Sequence, residues 1–322
     1  GGVSWSTPLR ISDSSLRDNY NPSIVVDFYD DIEVCWVEDN GAGQQAVVMN
    51  YTSLGLWQTK KFVSQWSNGI KKPSIYIDST NNGAIYVWQN VTSSGRSQIF
   101  YADYTYTLPT YGTQLTYFTN ADARNASAIV DGFDVLHVVF DVYNYTSGNH
   151  SIWYKKLGAP PVQISSEVRN PTSPSIAIDE NDNLYVAWQC SAGIRYKIYN
   201  GEWRPETSIH INSNDGNVSL RWSFNNNPYT GWSAAIDAVW TSINGSWKNV
   251  TYRAIKLTQP AVFPPAGAVG TTPYTDATAY NGQRKIVRTS TGLLFAVYVG
   301  DYVYKSNPYK HICVVCSDDG GE

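Results

Sequence analysis

One apolar phrase returns six times along this chain: Ile32-Glu33-Val34-Cys35-Trp36, Ile85-Tyr86-Val87-Trp88, Leu136-His137-Val138-Val139-Phe140, Leu184-Tyr185-Val186-Ala187-Trp188, Ile236-Asp237-Ala238-Val239-Trp240 and Leu294-Phe295-Ala296-Val297-Tyr298. Each copy ends in an aromatic ring, and successive rings stand 52, 52, 48, 52 and 58 residues apart. A period of that size is the mark of stacked supersecondary units. At 322 residues the chain also exceeds the ~250–300 residues at which a single core stops growing, which again requires several domains or a repetitive architecture.

The units read as all-β. Upstream of four rings stands a partner strand opened by Asn21-Pro22-Ser23-Ile24, Lys72-Pro73-Ser74-Ile75, Asn125-Ala126-Ser127-Ala128 or Ser173-Pro174-Ser175-Ile176, with proline where a strand tolerates it. Turns rich in Asp, Asn and Gly join each pair into a hairpin, as in Asp179-Glu180-Asn181-Asp182-Asn183 and Asp78-Ser79-Thr80-Asn81-Asn82-Gly83. A calcium loop is the sharper reading of those turns; side-chain capping of the turn backbone accounts for the same residues and is preferred.

A third strand follows, as in Ile99-Phe100-Tyr101 and Ile152-Trp153-Tyr154, and then a more polar fourth, as in Leu56 to Val63, Gln114 to Phe118 and Pro161 to Ser165. Aromatic residues make up 14% and charged residues 16% of the chain, a balance that suits short strands and turns and predicts almost no helix. A four-stranded sheet cannot bury both faces alone, whereas six packed about an axis can. The expected architecture is therefore one six-bladed β-propeller over residues 1–322, with blades near 13–64, 65–120, 121–165, 166–211, 212–262 and 275–322. Strand 3–12, which contains Leu9-Arg10-Ile11-Ser12, completes the last blade and removes its free edge. Pairing of that strand with another copy instead would generate rings or filaments.

Composition narrows the function classes. The net charge of -4 includes no basic block, so nucleic acid is not an expected partner. The longest apolar run, Leu293 to Val299, is too short to insert in a membrane. Gly1-Gly2-Val3-Ser4-Trp5 lacks a signal-peptide pattern, and the chain reads as a mature or excised segment. Eight Asn-x-Ser/Thr sequons, at Asn50, Asn90, Asn125, Asn144, Asn149, Asn217, Asn244 and Asn249, favour an extracellular or cell-surface glycoprotein, although chance supplies several in a chain so rich in Asn, Ser and Thr.

Cys35, Cys190, Cys313 and Cys316 permit disulfides without requiring them, and Cys313-Val314-Val315-Cys316 has zinc-knuckle spacing on an apolar β run whose ends face opposite ways. His137, His150, His210 and His311 fall in different units and read as structural or solvated. Neither a metal nor any other cofactor is expected.

At the C-terminus, Ser317-Asp318-Asp319-Gly320-Gly321-Glu322 resembles the start of the Asp box, Ser-x-Asp-x-Gly-x-Thr-Trp, of sialidase-like (BNR repeat) propellers, with Ser317, Asp319 and Gly320 at its fixed positions. Arg284 to Tyr298 is similar to the strand pair before such a box, and Asn200-Gly201-Glu202-Trp203 stands as a worn copy. In that family the box marks the fold and lies away from catalysis. Sialidase chemistry there employs three arginines on the substrate carboxylate, an Asp acid/base, and a Tyr nucleophile activated by a Glu.

A guanidinium fork suits a carboxylate because it binds both oxygens. The resemblance makes Arg284 and Arg288 weak candidates for the first arginine, though neither opens an Arg-Ile-Pro phrase, and position alone adds Arg169 and Arg221. Glu38 and Glu167 are the glutamates placed to face a pocket, without a recognisable tyrosine partner. The expectation is accordingly a non-catalytic binding or adhesion module, or a subunit of a surface assembly, whose partner is a glycan, a protein or a copy of itself. Sialidase-type hydrolysis of acidic sugars and a strand-exchanged structural filament are the alternatives.

Overall fold

The computed structural model describes residues 6–12, 18–27, 29–53, 55–77, 83–105, 112–227, 231–244, 247–256, 267–272, 286–288, 294–304 and 307–317. Among them are twenty-five strands and one 3-10 turn, so the chain is all-β, as its composition requires. Strand β1 is Leu9–Arg10. The first sheet holds β2 (Asn19–Val26), β3 (Ile32–Asp39), β4 (Gln45–Ser53), β5 (Leu56–Trp57) and β6 (Lys61–Phe62). The second holds β7 (Lys71–Ile77), β8 (Gly83–Val91), β9 (Ser97–Thr105) and β10 (Thr113–Gln114), and the third β11 (Ala121–Val130), β12 (Leu136–Asn144), β13 (His150–Lys156) and β14 (Val162–Gln163).

The fourth sheet is β15 (Thr172–Ile178), β16 (Leu184–Cys190), β17 (Gly193–Tyr199) and β18 (Thr207–His210); the fifth is β19 (Gly216–Asn227), β20 (Gly231–Asn244), β21 (Trp247–Lys256) and β22 (Gly267–Thr272). The sixth is β23 (Ile286–Arg288), β24 (Leu294–Tyr304) and β25 (Asn307–Ser317), with β1 antiparallel to β25 at its outer edge. Every sheet is an antiparallel meander. The outermost strands are shorter than their sequences suggest: Leu56 to Val63 splits into β5 and β6, both on β4, and Val162–Gln163 is all that pairs of Pro161 to Ser165.

The chain divides into two compact units, Gly1–Thr119 with Gln283–Glu322, and Asn120–Gly282. In the first, Trp36 packs with Ile24 and Val34 of its own sheet and with Ile11, Val297, Ile312 and Val314 of the sixth, while Trp88 joins Cys35, Val37, Met49 and Tyr86 between the first and second sheets. In the second unit, Trp188 fills the space between the third and fourth sheets and Trp240 that between the fourth and fifth. All four indoles are at most 2% exposed, so each is the plug between neighbouring sheets.

A backbone device repeats with the rings. On the first strand of five sheets one non-glycine residue is left-handed: Asn21 (φ 56), Lys72 (φ 53), Asn125 (φ 53), Ser173 (φ 53) and Asn217 (φ 52). At each the register slips, a β-bulge that re-aims the strand end. In the third and fourth sheets the serine two residues on reaches the next sheet: Ser127 Oγ accepts from Ile176 N (3.3 Å), and Ser175 Oγ accepts from Leu220 N (3.0 Å). The residue after the ring holds the next bulge: Asp141 Oδ1 accepts from Ser173 N (3.2 Å) and Gln189 Oε1 from Asn217 N (2.6 Å).

The hairpin turns of the first, third and fourth sheets are capped by aspartate. Asp27, Asp131 and Asp179 each accept two turn N–H groups at 2.8–2.9 Å through Oδ1. The turn 78–82 lies outside the described residues.

Candidate functional site

In the second unit, the bulged end of the third sheet gathers a cluster of polar and aromatic side chains. Asp122 and Arg124 are two apart on β11 and therefore share a face. The register sets Asp122 opposite Tyr143 and Arg124 opposite Asp141, and Tyr143 in turn opposite His150, so all five side chains leave that face. Asp122 Oδ2 accepts from Arg124 Nη2 and from the Tyr145 hydroxyl, the latter at 2.9 Å. The Arg124 guanidinium stands 5.3 Å over the Tyr143 ring, which meets Tyr145 edge to face at 5.1 Å and His150 at 5.0 Å.

Beneath them Asp141 is fully buried and fully engaged: Oδ1 accepts from Asn125 Nδ2 (2.6 Å) and Ser173 N, and Oδ2 contacts His150 Nδ1 (3.1 Å). Burial works against the Arg124 charge, but the bonded Asp122 carboxylate, with Tyr145 and Asp141 nearby, outweighs it and raises the guanidinium pKa. Two bonds tie the turn between β12 and β13 to the connection that follows: Ser147 Oγ donates to Glu167 Oε2 (2.8 Å) and His150 N to Asn170 Oδ1 (2.7 Å). Asp122 is buried, Arg124 half-buried, and Tyr145 43% exposed, so a ligand meets the tyrosine first and the ion pair behind it.

The arginines named from the sequence go elsewhere. Arg169 ends the 3-10 turn Glu167–Arg169 and pairs with Glu206 at 3.0 Å; Arg221 is exposed on β19. Arg288 lies on β23 with its side chain outside the described residues, as are Arg284, Asp319 and Gly320 altogether, while Ser317 is the last residue of β25. Of the two glutamates, Glu38 is buried against Lys60 Nζ (2.6 Å) and Glu167 is bound by Ser147. A Tyr–Glu pair exists where sequence reasoning did not look: the Tyr86 hydroxyl donates to Glu33 Oε2 at 3.2 Å. Both are buried, at 0% and 3% exposure, at the hairpin end of the first two sheets.

Three of the histidines are engaged rather than idle, and the His311 side chain lies outside the described residues. His137 is buried between Asp131 (2.9 Å) and the Tyr154 hydroxyl (2.6 Å), burial lowering its pKa against the pull of Asp131. His210 contacts Asp215 at 2.5 Å. These pairs escaped sequence reasoning because their partners lie on turns whose approach only the fold fixes. Among the described residues no three His, Cys, Asp or Glu side chains come together as a metal site, all four cysteines are free thiols, and no helix is long and apolar enough to cross a membrane.

No protein-family model matches the sequence, and comparison with curated proteins finds no match. Solved structures do resemble it. A protein of unknown function from Dyadobacter fermentans DSM 18053 superposes with a TM-score of 0.63 at 8% identity, covering 98% of both chains. The Hadza microbial sialidase Hz136 gives 0.58 at 10% identity over 93% of this chain and 65% of its own, and the Penicillium chrysogenum α-L-arabinanase complexed with arabinobiose 0.54 at 10% identity over 96% and 98%. At such identities the likeness is one of fold: an all-β arrangement shared with sialidase and arabinanase propellers.

Proposed function

We propose that this chain is a closed six-bladed propeller, exported to the cell surface, that binds neutral sugars without cleaving them, at Asp122, Arg124, Tyr143 and Tyr145. One observation carries the reading: Arg124 is already satisfied by the Asp122 carboxylate. A sugar carboxylate arriving at Arg124 would have to displace a buried anion, whereas sugar hydroxyls can both donate to Asp122 and accept from Arg124. The exposed Tyr145 ring supplies the apolar face on which a pyranose or furanose ring lies.

Hydrolysis of glycosides ordinarily takes two carboxyl groups flanking the bond. Here Asp141 is closed off by three bonds, which leaves Asp122 without a second acid. A glycan-binding screen tests the reading. Wild type should bind neutral oligosaccharides and ignore sialosides, Tyr145→Ala should weaken binding about tenfold, and Asp122→Asn should shift preference toward acidic sugars by freeing Arg124. Preferential sialoside binding by wild type, or turnover of any sialoside, would overturn it.

A subunit joined to its neighbours by strand exchange is the second reading, favoured by the bonding of residues 6–12 to β25, Ser6 N to Cys316 O (2.8 Å) and Ile11 N to Ile312 O (3.1 Å). A strictly monomeric mass at high concentration would exclude it.

A further inference from the structure

The eight sequons are not equivalent once folded. Asn125 and Asn217 are the left-handed bulge residues of β11 and β19, so their Asn-Ala-Ser and Asn-Val-Ser triplets repeat the Asn-Pro-Ser and Ser-Pro-Ser of the other sheets. Asparagine is there for its tolerance of positive φ, and Ser127 bonds to the next sheet. The Asn125 Nδ2 atom that would carry a glycan instead donates to buried Asp141. Asn50 is 5% exposed on β4, and Asn90 is half-buried on β8 with Oδ1 accepting from Ser67 Oγ. Asn244 and Asn249 have side chains outside the described residues.

The turn between β12 and β13 differs. Asn149 is exposed, and its carboxamide makes no hydrogen bond to any described residue. Asn144, at the other end of that turn, uses Oδ1 to accept from Thr146 N (2.8 Å) and Ser147 N (3.4 Å) and leaves Nδ2 unbonded among the described residues. We infer that Asn149 and Asn144 are the N-glycan acceptors of this protein and that the sequons at Asn50, Asn125 and Asn217 serve the fold. In the reaction Nδ2 attacks the anomeric carbon of a lipid-phosphate-linked oligosaccharide. The C–N bond forms as the anomeric C–O bond breaks, the lipid phosphate leaves with the electron pair, and Nδ2 loses a proton.

This inference rests on the proposed export, so the two are tested apart. The chain is first secreted from a eukaryotic host, and the folded product is mapped by glycopeptide mass spectrometry. Glycan on Asn149 and Asn144, with Asn50, Asn125 and Asn217 bare, is the expected result, and Asn149→Gln should remove one glycan with the unfolding midpoint unchanged. Folded protein glycosylated at Asn125 or Asn217, or bare at both Asn149 and Asn144, would overturn the assignment. Protein from its native source is then mapped in the same way: modification of the host-made chain alone refutes export and leaves the acceptors standing.

Discussion

Glu33 shows how one buried side chain couples this fold to pH. Burial pushes its carboxyl up to about 7, with Asp27 and Asp31 adding to the shift and the Tyr86 bond and Lys61 opposing it. Between roughly pH 4.5 and 7 the unfolded chain has released this proton and the native one has kept it, so stability from this group is full at the acid end and falls as pH rises. The loss is on the order of 3 kcal/mol. Urea denaturation at pH 4.5, 6 and 8 should show that decline, and Glu33→Gln should flatten it. Gly193 makes a second point. Its φ of +100 and the His210 carbonyl 2.3 Å from where a Cβ would stand make Gly193→Ala both strained and obstructed. The φ penalty alone is about 1–2 kcal/mol, and a larger total drop in urea stability is expected as β18 is displaced.

At the scale of the element, the serine staples act beside the Asp141 and Gln189 bonds in linking neighbouring sheets. Ser175→Ala leaves the buried Leu220 N–H unpaired, which costs about 1–3 kcal/mol, and Ser127→Ala should do the same at Ile176; equilibrium unfolding of both variants checks this. The sheets were legible in the sequence because the period-two apolar strands and their closing rings are written locally. The fifth copy of the bulge phrase, Asn217-Val218-Ser219-Leu220, is not among the four read from the sequence: serine is the one letter common to all five, and what unites them is a left-handed φ that several residue types adopt. The site was largely illegible. Arg169 and Arg221 could be located on or near inner strands, but Asp122, Arg124 and Tyr145 have no motif, and only the pairing of β11 with β12 brings them together.

At the scale of the whole molecule, the closed six-bladed propeller proposed above predicts a radius of gyration of about 20 Å by small-angle scattering, and a markedly larger value would refute that proposal. Removal of residues 1–12 takes away β1 and the Ile11 side chain packed among Trp36, Val297 and Ile312. Hydrogen exchange should then rise in β23, β24 and β25 while the unit Asn120–Gly282 keeps its protection. The bond from Ile312 N to Ser12 Oγ spans 300 positions of sequence. A ribosome adding about 5–20 residues per second needs some 15–60 s to cover that distance. Throughout that interval Ser12 has been made and Ile312 has not. The segment containing Ser12 thus waits about 15–60 s for the edge it pairs with, long enough for another exposed edge to compete for it.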